Sequence, residues 1–591
     1  MISQFGSFIS HQVNVNASGQ NIVGDAANEC SISVDPTNGN KMTIAWRQFN
    51  DVTSNFRQAG WGFTSDGGTT WTFPGVLENN VFRSDPVTNS NEIGQFFYLS
   101  LQSDVNTSFF CDDLWRSMNG GQSWTLLSGE RGGGGGDKQW FTIDKTNGTG
   151  HGFQYQSDDG FNCSGSGVEF QRSTNGGVTW QAPIVVPGGT DLGTLDVDTN
   201  GNLFIGGEGF SNFNCVRSSN AQIGTQTPTF DRVTNVNMGG SLGSGGINPA
   251  GLDGQCFLAI DRSGTATNNN IYMLASVVPP GRSTTDVMFV RSTDGGLTFS
   301  VPRRINDDPV NPSKWHWFGT LSVAPNGRID SVWYDTRNAA NNTDSQLFYS
   351  WSTDGGVTWA ANVEVSNAFN PFEGYPNQSK IGDYITVVSD NTGGNVAYSA
   401  TFNFNATRGQ HEEDVYYVRV APTTSALNLT SAVSRLTHGT AGTFDVNMPL
   451  TGTSGVECRS ATTYNAVFTF DAPVTSGEVT VIGGTATVGT ITFSGNSMTA
   501  QLTGVTSAEI VTLHTQNING DGQPHGDVPF GFLTADVNGN RIVDRPDQQQ
   551  LRADRGQPVT AANFRDDINL SGIVDTPDFQ SVQTNRGHSI P

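Results

Sequence analysis

One eight-residue pattern recurs five times along the chain and constrains its fold more than any other feature. The copies read TSDGGTTW at 64–71, SMNGGQSW at 117–124, STNGGVTW at 173–180, STDGGLTF at 292–299 and STDGGVTW at 352–359. The Asp or Asn side chain can accept hydrogen bonds from backbone N–H groups further along, and Gly adopts the positive φ that other residues avoid. Each copy therefore predicts a tight turn, with its closing aromatic ring buried between sheets.

Strand-like runs surround these turns in a constant order, and their spacing predicts a ring of small sheets. First strands are expected near Ser84, Trp140, Leu195, Phe257, Leu321 and Tyr384. A period near 50–60 residues with four short strands is typical of propeller blades. The third and fourth turns lie 119 residues apart, so one unit with a degenerate turn near 217–230 is expected between them. Counting a closing strand at 11–15 gives seven blades; the alternative is six, with an irregular region between Cys215 and Cys256.

The turn pattern resembles the Asp-box, or BNR repeat, of sialidases and related β-propellers. That resemblance implies an arginine cluster for a substrate carboxylate, an acidic proton donor and a Tyr nucleophile assisted by Glu, in place of the usual carboxylate pair. The residues that match these roles are Asp85 as acid, Tyr384 as nucleophile, Glu208 as its helper, and Arg47 with Arg337 for the carboxylate. The first strand reads CSISVDP and lacks the arginine motif of that family.

Loops at one end of the central channel carry further candidates for substrate binding. Aromatic faces suit sugar rings, and arginine binds carboxylates through paired hydrogen bonds. The additional candidates are Trp140, Trp317, Asp335 and Asp383. The alternative interpretation is structural: the two Trp rings pack within blades, and Asp335 forms an internal salt bridge with Arg337. Two functions follow, a sialidase-like glycoside hydrolase or polysaccharide lyase acting on acidic glycans, and a non-catalytic adhesive or structural propeller at the cell surface.

Composition restricts the partners. The formal net charge is -24, which argues against nucleic acid and anionic membrane surfaces as partners. No apolar run reaches transmembrane length. The six cysteines show no CxxC spacing, and Cys111, Cys163 and Cys215 could pair among themselves or stay buried thiols. The first residues lack the features of a signal peptide. The expectation of secretion or surface exposure therefore depends on the type of modules alone.

The remaining chain predicts two smaller domains after a propeller at 1–420. Residues 421–437 are interpreted as a linker. Short alternating runs without helix signals predict an immunoglobulin-like β-sandwich over 438–533. A separate domain with two short helices is expected over 534–591.

The last domain carries a duplicated calcium motif. Oxygen-bearing side chains recur at loop positions 1, 3, 5, 9 and 12, with a backbone carbonyl at 7, which is the spacing of EF-hand loops. The predicted ligands are Asp536, Asn538, Asn540, Ile542, Asp544 and Asp547 in the first loop, and Asp567, Asn569, Ser571, Ile573, Asp575 and Asp578 in the second. Two Ca²⁺ ions are therefore expected, one in each loop.

A pair of such loops, each followed by a helix, resembles a dockerin domain. The resemblance implies attachment or assembly through a protein partner. Pro546 and Pro577 occupy a position that cohesin-binding dockerins use for recognition, which departs from that pattern. The alternative is a small domain that calcium stabilises and that binds no protein partner.

Overall fold

The computed structural model describes residues 1–103, 110–127, 135–160, 163, 167–209, 212–422, 427–520 and 523–591. These residues are mainly β, in many small antiparallel sheets. They divide into two compact units, Met1–Pro422 and Thr423–Pro591. None of the described helices is long and apolar enough to cross a membrane.

The first unit consists of short strands joined by turns. Its strands are β1 (Ile2–Phe5), β2 (Phe8–Gln12), β3 (Ala26–Val34), β4 (Met42–Phe49), β5 (Gln58–Thr64), β6 (Thr72–Val76), β7 (Arg83–Ser90), β8 (Phe96–Ser103), β9 (Phe110–Ser117), β10 (Thr125–Leu126), β11 (Trp140–Ile143), β12 (Gln154–Asp158), β13 (Glu169–Ser173), β14 (Ile184–Val185), β15 (Asp191–Val197), β16 (Leu203–Glu208), β17 (Phe213–Ser218), β18 (Arg232–Val236), β19 (Ser241–Leu242), β20 (Ser244–Gly245), β21 (Asn248–Leu252), β22 (Phe257–Ile260), β23 (Ile271–Val278), β24 (Asp286–Ser292), β25 (Arg303–Arg304), β26 (His316–Val323), β27 (Ile329–Asp335), β28 (Gln346–Ser352), β29 (Val363–Glu364), β30 (Thr386–Asp390), β31 (Gly393–Asn405) and β32 (Gln410–Val420).

Among the described residues these strands form seven sheets of four or five strands and one ribbon, β20–β21. Sheets one to four are β3–β6, β7–β10, β11–β14 and β15–β18; sheet five contains β19 and β22–β25, and sheet six β26–β29. Sheet seven joins the two ends of the unit in the order β1-β2-β32-β31-β30. The first strands, β3, β7, β11, β15, β22, β26 and β30, each contact the next, and β30 contacts β3. The sheets therefore close into a ring.

The ring is closed by the N-terminal segment. Strand β2 pairs with β32, with His11 opposite Tyr417, and the Val13 N–H donates to the Val415 carbonyl. The closing strand thus begins three residues before the predicted segment at 11–15. We call the end of the ring where the first strands begin the upper face, and the opposite end the lower face.

A backbone irregularity recurs once in each sheet near the upper face. Residues at positive φ precede or interrupt every first strand; they are Glu29, Asp85, Lys138, Leu192, Gly254, Phe318 and Gly382. In β3, β7, β15 and β26 the position coincides with a register shift against the second strand, so it is a β-bulge. Bulges re-aim side chains, and non-glycine residues at positive φ cluster at functional sites. This position therefore directs side chains from several sheets toward the ring axis.

The repeated turns have the hydrogen bonds that the sequence predicts. In the fifth copy the Asp354 carboxylate accepts from the Ser352 hydroxyl at 2.8 Å and from the Thr358 N–H at 2.9 Å. Each of the five connects the third strand of a sheet to the fourth. The predicted degenerate copy keeps both bonds: the Ser218 hydroxyl donates to Asn220 Oδ1 at 3.2 Å, and the Thr229 N–H donates to Asn220 Oδ1 at 2.8 Å. The expectation of buried rings holds for Trp71; the other four closing rings are half-buried, because they lie toward the outer edge of the ring.

The second unit contains two sheets followed by two short helices. Its elements are β33 (Leu429–His438), β34 (Gly442–Asn447), β35 (Gly455–Glu457), β36 (Thr463–Phe470), β37 (Glu478–Gly483), β38 (Thr487–Ser494), β39 (Ser497–Thr503), β40 (Glu509–Gln516), β41 (Pro524–Phe532), α1 (Arg545–Asp554) and α2 (Thr576–Asn585). Single 3-10 turns occur at Ile518–Gly520 and Phe564–Asp566. The sheets have the orders β34-β33-β36-β39-β38 and β35-β41-β40-β37 and share one apolar core.

The predicted linker at 421–437 is too long. Strand β33 begins at Leu429 and lies in the interior of its sheet, between β34 and β36. Its sequence alternates, so that Ala432, Ser434 and Leu436 are buried in the core while their neighbours are not. Residues 423–426, within the predicted linker, lie outside the described residues.

Candidate functional site

Charged side chains from four sheets meet near the ring axis at the upper face. The Lys138 ammonium lies 2.7 Å from Asp85 Oδ2 and 2.7 Å from Asp383 Oδ2. Glu29 Oε2 lies 2.5 Å from Arg47 Nε. Lys380 forms a further ion pair with Asp383. We call these six residues the axial cluster.

The acidic and basic side chains of the axial cluster balance each other's charge. The carboxylates of Glu29, Asp85 and Asp383 offer oxygens within 4.8 Å of one another, a spacing that suits a cation. Lys138 already bonds two of these carboxylates, so the cluster has its own positive charge. Burial favours neutral Asp85, but the charges of Lys138 and Lys380 overcome this effect and hold its pKa below the usual range. An aspartate held ionised in this way is a poor proton donor.

Two aromatic rings lie against the axial cluster. Tyr384 is buried, and its hydroxyl donates to the Pro86 carbonyl at 2.9 Å. Burial, with the charges of Glu29 and Asp85, raises the pKa of Tyr384 well above its usual value. The Trp140 ring meets Tyr384 edge-on at 5.3 Å. Tyr384 therefore contacts charged groups, but its hydroxyl is engaged and hard to ionise.

Glu208 does not share the contacts of Tyr384. It ends β16 in sheet four and accepts from the Leu242 N–H at 3.3 Å. Burial raises the pKa of Glu208. Within the described residues Glu208 forms no hydrogen bond or ion pair with Tyr384 or Asp85, so the three predicted catalytic residues are not assembled as one group.

Asp335 and Arg337 belong to a second charged group, in sheet six. Arg337 Nε donates to Asp335 Oδ2 at 2.9 Å, and its Nη1 donates to Asp307 Oδ1 at 2.6 Å. The guanidinium also lies over the Phe348 ring. These contacts correspond to the alternative interpretation of an internal salt bridge that orders a loop.

His316 lies in the same group and carries a positive charge at neutral pH. Its Nε2 is 3.0 Å from Asp308 Oδ1, and its Nδ1 is 3.2 Å from Asp286 Oδ1. Although burial opposes protonation, hydrogen bonds to these two carboxylates raise the pKa of His316 to about 9. The neighbouring Trp317 is fully buried and donates to the Ser345 hydroxyl at 3.1 Å. Trp317 is therefore a packing residue of sheet six.

A third feature of the upper face is an arginine without a carboxylate partner. Arg57 precedes β5 and is only 9% exposed. Its Nε donates to the Ser84 hydroxyl at 3.0 Å, and its guanidinium lies 4.4 Å above the Phe82 ring. Within the described part of the chain, no carboxylate oxygen lies within 4.0 Å of it. Burial and the charge of nearby Arg47 lower the pKa of Arg57 to about 10.

The arginine belongs to a polar and aromatic surface. Phe56 is 41% exposed, and the centroid of its ring lies 6.3 Å from that of the Phe82 ring. We call Phe56, Arg57 and Phe82 the Arg57 surface. Close to it, Arg47 Nη2 is buried without a hydrogen-bond partner among the described residues, while Nη1 donates to Gln378 Oε1 at 3.0 Å.

Sequence reasoning missed Lys138 and Lys380 as partners of Asp85 and Asp383, and it missed Arg57. The position of Lys380, three residues before Asp383, was a weak signal for an ion pair. The positive φ of Glu29, Asp85 and Lys138, which coincides with a bulge at the first two, depends on backbone context that residue type does not reveal. Arg57 stands in a loop without any repeated motif.

The two acidic loops of the second unit have nearly identical local structure. Asp536 accepts from the N–H groups of Gly539 and Arg541, and Asp567 accepts from those of Ser571 and Gly572. The last two aspartates of each loop form a capping box at the start of the helix, Asp544 with Asp547 in α1 and Asp575 with Asp578 in α2.

These loops fit a calcium ion. Asp544 Oδ1 and Asp575 Oδ1 are buried without a hydrogen-bond partner within the described residues. The donor set is made of carboxylate, amide and hydroxyl oxygens, which are the hard ligands that calcium prefers. Burial and the adjacent charges of Asp567 and Asp575 raise the pKa of Asp578 to about 6. A divalent cation would relieve this repulsion.

Two of the six cysteines are paired. Cys111, in β9, forms a disulfide with Cys163. Cys30, Cys215, Cys256 and Cys458 are buried free thiols. One of the pairings that the sequence allowed among Cys111, Cys163 and Cys215 is therefore observed.

Comparison with known proteins gives structural likeness only. No family model matches the chain, and no curated protein matches it. An ulvan lyase of family PL25 is 10% identical, with a TM-score of 0.39 over 67% of this chain and 94% of that one. The endosialidase of phage phi92 is 10% identical, with a TM-score of 0.38 over 89% of this chain and 87% of that one. The leech intramolecular trans-sialidase is 11% identical, with a TM-score of 0.35 over 69% of this chain and 70% of that one. At these TM-scores the likenesses assign no activity to this chain.

Proposed function

We propose that the first unit is a seven-bladed β-propeller that binds an acidic glycan on its upper face, and that the protein is exported. The observation that carries the proposal is Arg57, a buried guanidinium that forms no ion pair within the described residues and bonds instead to the Ser84 hydroxyl and to Asn55. A buried charge is costly unless it is paired. A carboxylate of a ligand would supply the missing partner.

The chemistry around Arg57 suits a sugar acid. Arginine binds a carboxylate through two parallel hydrogen bonds, which give direction as well as energy. Arg47 lies close enough for its charge to lower the pKa of Arg57, and its Nη2 has no described partner. The exposed ring of Phe56 provides an apolar face beside these charges. A uronic or sialic acid residue presents both of the complementary features.

Binding is favoured over turnover. The predicted acid Asp85 is ion-paired with Lys138, and the predicted nucleophile Tyr384 donates its hydroxyl to a backbone carbonyl. A general acid needs a pKa near the working pH, and a Tyr nucleophile needs a base within hydrogen-bond reach. Neither condition is met by the contacts of these residues. We therefore place a non-catalytic, glycan-directed role first, and hydrolysis or lyase chemistry second.

The second unit is proposed to bind two calcium ions. Asp536, Asn538, Asn540, Asp544 and Asp547 would hold one ion with the Ile542 carbonyl; Asp567, Asn569, Ser571, Asp575 and Asp578 would hold the other with the Ile573 carbonyl. Calcium would neutralise the acidic loops and fix the start of each helix. We propose a dockerin-like role in attachment or assembly for this unit. The Cys111–Cys163 disulfide supports export, because disulfides persist in oxidising compartments.

A panel of sialosides and acidic polysaccharides, assayed with calcium present for both binding and product release, tests the proposal. Wild type should bind acidic members and release no product, and Arg57→Gln should lose most of the binding. Arg217→Gln is the matched control, because Arg217 forms a partly exposed ion pair with Asp231. Product release that survives in Arg57→Gln, or equal binding of neutral and acidic glycans, would contradict the proposal.

A further inference from the structure

A large cavity opens on the ring axis at the lower face, away from the Arg57 surface. It has a volume of about 680 Å³, and all seven sheets contribute to its lining. Volumes of this size are typical of small-molecule sites. The axial cluster does not line it.

The cavity is closed on its inner side by aromatic rings. Trp140 lines it and is half-buried. The Trp140 ring packs edge-to-face with Phe257 and with Tyr384, at distances between ring centroids of 5.4 Å and 5.3 Å. Since Tyr384 is buried against the axial cluster, these rings separate the cavity from the upper face. The cavity is therefore a separate chamber with an aromatic floor.

Hydroxyl groups of the first strands line the walls together with apolar side chains such as Ile32 and Leu321. Thr386 Oγ1 accepts from the Ile32 N–H at 2.9 Å, and Thr194 Oγ1 accepts from the Leu258 N–H at 2.7 Å. These bonds join neighbouring sheets and hold the wall rigidly. A rigid polar wall lowers the entropic cost of binding a polyhydroxylated ligand.

Among the described residues, the basic side chains that line the cavity are ion-paired with one exception, and its acidic side chains have hydrogen-bond or ion-pair partners. Arg262 is ion-paired with Asp196, and Asp390 with Arg419. Glu92 lies 3.0 Å from His151 Nε2, and Asp35 accepts from the backbone and hydroxyl of Thr37.

Lys145 is the exception. Its ammonium donates to Asn89 Oδ1 at 3.1 Å, and among the described residues no carboxylate oxygen lies within 4.0 Å of it. Desolvation and the charge of Arg262 lower the pKa of Lys145 to about 8, against the opposing charges of Asp196 and Glu92, and the side chain itself is exposed. The amine therefore stays mostly protonated at neutral pH, and none of the described carboxylates pairs with it directly.

We propose that this lower-face cavity is a second binding site, which takes a sugar acid of one or two rings. The ligand carboxylate would pair with Lys145, a ring face would lie against Trp140, and ligand hydroxyls would meet the hydroxyl walls. This site is independent of the Arg57 surface and goes beyond the proposed glycan binding there.

Calorimetric titration of the whole protein with D-glucuronate tests the site, with D-glucose as the neutral probe. We expect glucuronate to bind more tightly than glucose, and Lys145→Gln to weaken glucuronate by about tenfold or more, because a charge-assisted bond is lost. Binding to wild type should also weaken as the pH rises through about 8, where Lys145 loses its charge.

Three further variants distinguish binding in the lower-face cavity from binding elsewhere on the protein. Lys41→Gln removes an exposed lysine of the same face that does not line the cavity and should bind glucuronate as wild type does, whereas Arg57→Gln should keep the binding event that depends on Lys145. Asn391→Trp adds bulk at an exposed lining position and should weaken binding without changing Lys145. Wild-type affinity in both Lys145→Gln and Asn391→Trp, equal loss in Lys41→Gln, or no glucuronate binding by wild type at about 10 mM would overturn the proposal.

Discussion

The second glycine of each repeated turn combines a positive φ with close contact to the preceding sheet of the ring. Gly356 has φ +80°, and a Cβ at this position would lie 2.3 Å from the Phe289 ring. No L-residue fits both conditions without strain. Gly356→Ala should therefore destabilise the first unit by about 2 kcal/mol or more, as measured by denaturant unfolding.

Gly281→Ala is the matched control for this prediction. Gly281 has φ +79°, but a Cβ there would meet nothing within 4 Å. It should cost only the backbone strain of about 1 kcal/mol. Equal effects of the two substitutions would mean that contact with the neighbouring sheet does not limit the turn.

A buried carboxyl group gives a prediction about pH. Asp253 is fully buried, and both of its carboxylate oxygens lack a partner within the described residues. Burial raises the pKa of Asp253 to about 8, from an ordinary value of 3.8. Between these values the folded state binds more protons than the unfolded state, so this group makes stability fall as the pH rises.

Asp253→Asn removes this titration and keeps the size of the side chain. The free energy of unfolding of the variant minus that of wild type should rise by at least about 1 kcal/mol from pH 5 to pH 8, as measured by denaturant unfolding at both values. A stability difference between the two proteins that does not change with pH would contradict a raised pKa for Asp253.

The elements of the second unit are joined more closely than the sequence suggests. Val456 and Cys458, at and beside β35, share an apolar core with Val543, Leu551 and Val574 of the two acidic loops and helix α1. The Ser460 N–H also donates to the Ile568 carbonyl at 2.8 Å. The loops therefore stabilise one edge of the sandwich.

Removal of calcium should consequently loosen more than the loops. Binding free energy in such loops contributes directly to folding, so chelation should lower amide protection over 534–591 and at β35. Hydrogen exchange with and without chelator measures this, and amides of the first unit serve as the internal control. Unchanged protection of 534–591 would contradict calcium binding, and loss limited to those residues would contradict the coupling to β35.

Local sequence patterns predicted most of the turns and strands. The composition of the charged sites depends on contacts between residues far apart in sequence. The repeated turns and the alternating strands around them were predictable because their hydrogen bonds lie within a few residues. Strand β33 was missed although it alternates, because its Thr- and Ser-rich start was interpreted as a linker. The pairing of Lys138 with Asp85 and Asp383 was not predictable, since it joins three sheets far apart in sequence through backbone bulges.

At the scale of the whole molecule, the first unit depends on its N-terminal strand to close the ring. Strand β2 pairs with β32, and the Tyr398 hydroxyl donates to Ser10 at 2.6 Å. Deletion of residues 2–12 would leave β32 as an open edge, which invites pairing with another chain. We expect a lower unfolding midpoint and concentration-dependent oligomers in light scattering.

Deletion of residues 2–5 is the control, because it removes only β1, which pairs with β2 alone. Its effect should be small. Equal effects of the two deletions, or full stability of the longer one, would mean that closure by β2 does not hold the ring.

The most direct test of the central claim is a calorimetric titration of the intact protein with an oligogalacturonate and with its methyl ester. The ester replaces each carboxylate by an uncharged methyl ester on the same sugar chain. We predict that Lys145→Gln, which lacks the charge of the lower-face site, binds the acid at least about tenfold more tightly than the ester, and that adding Arg57→Gln abolishes this preference while adding Arg217→Gln retains it. Equal affinity of Lys145→Gln for acid and ester, or an undiminished preference after Arg57→Gln is added, would contradict carboxylate recognition at the Arg57 surface.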